Sequence, residues 1–346
     1  MEGVERMAKD LSDLVLVEEY RGGLVENVHE GHICGVSDDG EIRYVFGNPL
    51  HRTFLRSSAK PIQAIPAIMH GVDERYALTD EEIAILAGSQ NGEPFHVQVL
   101  ESIMAKTGVR EDQLVCHPTY PNHGAAREAL IVSGQGKRSI YHNCSGKHLG
   151  ILSLCLAQGL STDDYWQADH PAQEAILRTL SIMADLPLQE IAIGTDGCGL
   201  PVMAIPLHNL AIAYLKLACP DLISDEHVRA AVIKITGAMN RHGLMVSGTD
   251  TVCSTLLQDD NIVAKGGAKG VYCFGLREER LGFALKVLDG SSEEWPLILA
   301  SILEQINYRR TETIEKLRGL YPADIYNDNN LIVGRNETVF RLKTVG

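Results

Sequence analysis

Basic residues are scarce in this chain. Of its 346 residues, 31 are Lys or Arg and 45 are Asp or Glu, a formal net charge of −14 with histidine neutral. Nucleic acids and anionic lipid surfaces both require a basic patch, so neither is an expected partner. Long apolar runs are also missing. No stretch of about 20 apolar residues occurs, so no membrane span is expected. The opening MEGVERMAKDLSDL mixes both signs of charge and lacks the apolar segment of a signal peptide, which makes a cytoplasmic protein the expectation. Eight Cys spread over this length do not make a disulfide framework; in the cytosol they are buried thiols or metal ligands. The commonest zinc signatures, Cys-x-x-Cys and His-Glu-x-x-His, are absent. So is the hydrolase elbow Gly-x-Ser-x-Gly. Gly134-Gln135-Gly136-Lys137-Arg138 fails as a phosphate-binding loop, because Ile131 stands where glycine is needed and Arg138 where Ser or Thr is needed. No internal repeat, low-complexity tract or Pro/Gly/Ser linker divides the chain.

What is present reads as a globular protein, 45% hydrophobic and 22% charged, of one large domain or two closely packed ones. Residues 1–14 read as an extension and 15–346 as a single domain. Leu24–Val28, Ile33–Val36 and Ile42–Phe46 read as strands, the last two joined by a turn at Asp38-Asp39-Gly40. Helical spacing dominates from about 57 to 246: a capping box at Thr79 and Glu82, then apolar periodicity over 94–106, 145–158, 171–184, 207–217 and 225–241. Strands return at 262–265, 270–274 and 282–287, followed by a helix at 294–308. Strands at both ends around a helical block predict an α+β fold. The terminal strands would share one antiparallel sheet (about 20–56 and 247–346), with 57–246 inserted as a helical lobe and the site in the cleft between.

Ser57-Ser58-Ala59-Lys60-Pro61 opens an apolar run from Ile62 to Met69. Ser57 and Lys60, three residues apart, would share a helix face, and a desolvated neutral lysine can take the proton of a serine nucleophile. Alone the pattern is weak: 18 Ser and 12 Lys in 346 residues give about 0.6 chance matches, and a capping serine before a surface lysine is then the better explanation. Lys265-Gly266-Gly267 ends a predicted strand late in the chain, where Ser-x-x-Lys enzymes place a Lys-Thr-Gly beside the cleft. His142-Asn143-Cys144-Ser145-Gly146-Lys147-His148 and Asp196-Gly197-Cys198-Gly199 form a third feature. Thiols with His, Lys and Asp nearby suit Zn²⁺, although two buried thiols and a helix cap account for the spacing better.

Four segments together resemble a known family. Arg56–Pro61, Gly88-Ser89-Gln90-Asn91-Gly92-Glu93-Pro94, His142–His148 and Thr195-Asp196-Gly197-Cys198-Gly199-Leu200-Pro201 look like the asparaginase II, or Rhizobium-type (class 3), L-asparaginases, over about 25–334. The resemblance implies a fold similar to serine β-lactamases and glutaminases, with hydrolysis of L-asparagine to L-aspartate and ammonia. It implies Ser57 with Lys60 as one catalytic Ser-Lys tandem and Ser89 with Lys265 as another. It further implies Cys144, Lys147 and Cys198 as zinc ligands, Arg56 and Asp196 as substrate-pocket residues, and a homodimer. Two positions depart from the family pattern: Lys269, where an acidic residue is common, competes with Lys265 for the second lysine, and Gln90 stands where histidine is common. A glutaminase or other Ser-Lys amidohydrolase, and a non-catalytic zinc or amino-acid binding protein, are the alternative readings.

Overall fold

Strands from the two ends of the chain meet in one sheet in the computed structural model, which describes residues 14–345. Apart from Leu14, the extension expected over 1–14 lies outside the described residues. The strands in chain order are β1 (Val15–Arg21), β2 (Leu24–Ser37), β3 (Ile42–Phe46), β4 (Arg52–Phe54), β5 (Ala192–Thr195), β6 (Pro201–Pro206), β7 (Ile262–Gly267), β8 (Val271–Leu276), β9 (Leu281–Val287), β10 (Asp324–Tyr326), β11 (Ile332–Thr338) and β12 (Lys343–Thr344). The main sheet runs β10-β11-β1-β2-β9-β8-β7, with β3 also on β2 and β12 on β3. Its pairings are antiparallel, and β2 meets β9 in the register Cys34 to Ala284. The expected mixture of helices with an antiparallel sheet made by both chain ends is what forms.

Three strand expectations change in detail. The two short strands read at 24–28 and 33–36 are one strand, β2, because His29 and Glu30 continue its pairing with β1 while Gly31 and His32 begin its pairing with β9. β1 has no counterpart in the sequence reading; its Leu16 and Val17 are buried, but polar residues fill the rest and blur the alternation. Within the mainly helical stretch, where only 191–193 reads as extended, β6 pairs with β4 on one side and β5 on the other in a separate three-stranded sheet. The tail also forms structure, adding β10, β11 and β12 and a helix over Thr311–Leu320.

The helices follow the predicted periodicity closely: Pro94–Thr107, Ser145–Gln158, Pro171–Ala184, Leu207–Ala218, Glu226–Arg241 and Trp295–Gln305. The capping box at Thr79 is present, with the Thr79 N–H donating to the Glu82 carboxylate at 2.7 Å. At the centre lies Lys60–Met69, buried from Lys60 through Ile68 and therefore apolar all round except for its first residue and Gln63. It packs against 145–158, 171–184 and 226–241.

The helix Leu207–Ala218 rests on the sheet over β8 and β9. Two glycines, Gly275 and Gly282, face each other across these strands. A Cβ at Gly275 would lie 2.3 Å from the Tyr214 carbonyl oxygen, and one at Gly282 would lie 2.2 Å from that of Ala211. The helix backbone sits where side chains would otherwise stand. Gly282→Ala must push helix and sheet apart, and a fall in stability of about 1–3 kcal/mol is expected, read as a lower urea midpoint.

Candidate active site

Ser57 sits in a tight 3₁₀ turn, Arg56–Ala59, and the α-helix starts at Lys60. The Lys60 N–H donates to the Ser57 carbonyl, closing the turn. Arg56 enters it with φ of +51°, a left-handed conformation that a side chain seldom adopts and that surrounding contacts must hold. Those contacts are identifiable. The Ser58 hydroxyl donates to the Leu55 carbonyl at 2.7 Å, and the Tyr214 hydroxyl donates to the Ser58 carbonyl at 2.7 Å. From the other side β7 presses in: a Cβ on Gly267 would fall 2.6 Å from the Leu55 oxygen and 3.1 Å from the Ser58 nitrogen. The glycine of Lys265-Gly266-Gly267 thus lets the strand approach the serine-bearing turn.

Lys60 is fully buried, and its amine donates to the Ser89 hydroxyl at 2.8 Å and to the Asn143 carbonyl at 2.7 Å. Burial pushes its pKa down to about 8; Cys144 opposes this, and the charges of Lys147 and Lys265 add to it. The Ser57 hydroxyl, half-buried one turn before Lys60, has no hydrogen-bond partner among the described residues. The lysine is therefore engaged by the second serine, while the first is left unpaired. Lys265 is buried, with its amine on the Gly266 carbonyl at 2.8 Å, and burial lowers its pKa as well. Lys269, the competing lysine, is exposed in the turn between β7 and β8.

A second group lies where the Ser145–Gln158 helix begins and β5 ends. The ligand atoms of Cys144, Asp196 and Cys198 lie within 4.8 Å of one another. The Lys147 amine is 3.1 Å from the Cys198 sulfur and 3.5 Å from the Asp196 carboxylate. Asp196 also accepts from Arg56 Nε at 2.8 Å, linking this group to the Ser57 turn. The neighbouring Cys198 thiol holds that of Cys144 well below its usual pKa despite burial, and Cys144 with burial raises that of Cys198. Burial works against the Lys147 ammonium, but the Cys144 and Cys198 sulfurs and Asp196 outweigh it and raise its pKa. Two soft sulfurs, a carboxylate and an amine in one pocket fit a borderline divalent ion such as zinc. Asp196, read from the resemblance as a pocket residue, thus lies with the thiols as well. His148 turns away, pairing with the Tyr165 hydroxyl at 2.7 Å.

Further residues shape the site, among them Gln90, already noted as a departure from the family pattern. Gln90 is buried; its amide donates to the carbonyls of Ile140 and His142 at 3.1 and 2.8 Å and lies 3.2 Å from the Ser145 hydroxyl. It clamps the loop that presents Asn143 and Cys144. The Asn143 acceptor is a backbone carbonyl, invisible in a motif, and Tyr214 lies far from the turn it fixes.

The site so described is a buried lysine–serine pair beside a thiol-rich pocket, in an α+β chain with an antiparallel sheet. The chain belongs to the L-asparaginase II family, whose sequence profile matches residues 17–338. Among solved structures, it is similar to a protein named Mglu in its native form, at 12% identity and a TM-score of 0.47, covering 80% of this chain and 61% of that one. It spans about three-fifths of the Mglu chain. It is also similar to a putative β-lactamase from Bacteroides dorei (14% identity, TM-score 0.44, 88% and 98% covered). A third likeness is to a β-lactamase from Mycobacterium bovis (14% identity, TM-score 0.40, 80% and 94% covered). No curated protein matches it significantly. No helix among the described residues is long and apolar enough to cross a membrane.

Asp196 shares its one negative charge between Arg56 and Lys147, pairing with them at 2.8 and 3.5 Å. Asp196→Ala leaves a buried lysine short of a partner, and a loss of about 3 kcal/mol is expected in denaturant unfolding. Asp196→Asn, which keeps the Gly197 N–H interaction at 2.9 Å, should lose less.

Proposed function

We propose that this protein is an L-asparaginase that hydrolyses the side-chain amide of L-asparagine to L-aspartate and ammonia through an acyl-enzyme on Ser57. The observation that carries the reading is the Lys60 amine: it is fully buried, pushed down to about 8, and one turn from an unpaired serine hydroxyl. Such an amine is neutral in a useful fraction at neutral pH and can accept a proton. In the first step the Ser57 oxygen bonds to the amide carbon and its proton passes to Lys60. We assign the N–H of Ser57 and one from the end of β7 as the groups that would stabilise the tetrahedral oxyanion. The Gly266 N–H, committed to the Cys253 sulfur at 3.1 Å, is not that group. The Lys60 ammonium then gives its proton to the departing nitrogen, the carbon–nitrogen bond breaks and ammonia leaves. Water attacks the ester, Lys60 again taking a proton and returning it to Ser57. Ser89, which accepts from Lys60, and Lys265, whose charge depresses that of Lys60, tune the pair.

We assign Cys144, Lys147 and Cys198, with Asp196 beside them, as the residues that would hold zinc. Bound there, the ion would supply positive charge that orients the substrate's α-amino or carboxylate end. Arg56 and Asp196, joined at 2.8 Å, face the same turn as Ser57 and are the assigned substrate-contacting pair. We place the enzyme in the cytoplasm, where the eight buried free thiols would stay reduced, and assign residues 15–346 to one catalytic domain in a homodimer.

A second reading takes Ser89 as the nucleophile, because Lys60 donates to it at 2.8 Å and not to Ser57. Single alanine variants separate the two. On the Ser57 assignment, Ser57→Ala loses at least about a thousandfold in kcat while Ser89→Ala keeps measurable turnover. More than about a tenth of the parent kcat in Ser57→Ala would reject it as nucleophile. Ammonia release from asparagine and glutamine, measured side by side, tests the substrate; a preference for glutamine would make the enzyme a glutaminase.

The lysine also sets a pH dependence. Lys60 must be neutral to act, so kcat/KM should rise with pH through a limb near 8 and fall about tenfold per unit below it. Initial rates from pH 6 to 10 check this. Chelation tests the metal assignment: a rise in KM with kcat unchanged is expected for an orienting role, whereas lost kcat contradicts it.

A further inference from the structure

Away from the Ser57 turn, on the far strands of the main sheet, a second group of ligating side chains converges on His29. This histidine is buried on β2, with Glu19 on β1 and Glu294 ahead of the Trp295–Gln305 helix. Its Nε2 is 2.8 Å from a Glu19 carboxylate oxygen and 3.2 Å from one of Glu294. The Asn27 amide, 3.3 Å from the same nitrogen, rims the group. Nδ1 donates to Asp289 at 2.6 Å, which fixes the ring.

A histidine held between carboxylates is ordinarily read as an imidazolium ion pair. Two observations are left over on that reading. Glu294 is 1% exposed, yet its second carboxylate oxygen has no hydrogen-bond partner among the described residues. The Asn336 carbonyl oxygen, in a residue 5% exposed, has none either. Asn336 stands directly opposite Glu19 in the β1–β11 register, so the two side chains share a face of the sheet. Both orphan atoms are acceptors, and burying an acceptor without a donor or a cation is costly. Charge points the same way, since three carboxylates against one imidazolium leave a net negative group.

We propose that Glu19, His29 and Glu294 form a second metal site for a divalent transition ion such as Zn²⁺ or Mn²⁺, with the Asn336 carbonyl as a further donor. One imidazole nitrogen with carboxylate and amide oxygens is a borderline-to-hard donor set, distinct from the thiol pocket beside Ser57. Donors about 2.0–2.1 Å from a tetrahedral ion stand roughly 3.3 Å apart, close to the separations found around Nε2. Asp289 then has the part of a positioning residue, holding the Nδ1 proton so that Nε2 offers its lone pair. The ion would tie β1, β2 and β11 to the head of the Trp295–Gln305 helix. Trp295 in turn packs edge-on against Tyr272 at 5.0 Å and covers Gly266, next to Lys265.

The test uses metal-stripped full-length protein carrying Cys144→Ser and Cys198→Ser, so that the thiol pocket and its failure are kept apart from this site. Titration with Zn²⁺ and Mn²⁺, followed by metal analysis after desalting, should show about one ion per chain. Glu294→Gln and Glu19→Gln in that background should each weaken binding at least tenfold, and Asp289→Asn should weaken it about 10–100-fold. No retained metal, or unchanged affinity in Glu294→Gln, would overturn the proposal. Should the serine variants fail to fold, substoichiometric Mn²⁺ added to the wild-type protein gives a separate readout. The His29 imidazole resonances should broaden beyond detection; if they stay sharp while metal is present, the group is an ion pair only.

Discussion

An amine cut off from water must find acceptors or surrender its proton, and Lys60 is held where both happen. Its helix is apolar around it, so no solvent reaches the amine; Ser89 and the Asn143 carbonyl are the partners it has. Two further buried lysines, Lys147 and Lys265, add like charge, while the Cys144 sulfur opposes them. The result is an amine whose pKa is pushed down to about 8 while it is held on the Ser89 hydroxyl. Everything else near the Ser57 turn serves to keep that amine dry and aimed.

The fold achieves this through close backbone contacts more than through large side chains. Gly275 and Gly282 bring the Leu207–Ala218 helix onto the sheet, and that helix carries Tyr214, whose hydroxyl fixes the turn behind Ser57. Gly267 lets β7 reach the same turn from the opposite side and sets Lys265 in the interior. Gln90 holds the 140–145 loop from within, so that one short segment presents both the Asn143 carbonyl and Cys144. A substituent at any of these glycines would move the turn relative to the amine.

β2, β3 and the β7–β9 meander were readable as short β-prone runs bounded by turn residues, β7 and β8 being buried on both faces, and the helices from 94 to 241 were readable from the spacing of their apolar residues. β1 was not, since charged residues interrupt its apolar ones and β11 joins it from more than 300 residues away, as Val17 with Thr338. The motif residues Ser57, Lys60, Ser89, Cys144, Lys147, Asp196 and Cys198 stand out in the sequence as polar groups at element ends. Which of them touch was not legible. Spacing suggested Ser57 with Lys60, and the amine goes instead to Ser89, 29 positions on. Lys265 and Lys269 were equivalent as letters; only the geometry of a hairpin buries the first and exposes the second. The Asn143 acceptor belongs to the backbone, which every residue has, and so no residue type marks it.

The central claim is that Lys60 carries a depressed pKa, and the amine itself can be watched. Protein labelled at lysine Cε and Nζ, with Lys60→Met to assign the signal, reports the titration of that one group by NMR. A midpoint near 8, well below the surface lysines, is the predicted result. A midpoint at or above about 10, the ordinary lysine value, would contradict it and leave Ser57 without a base.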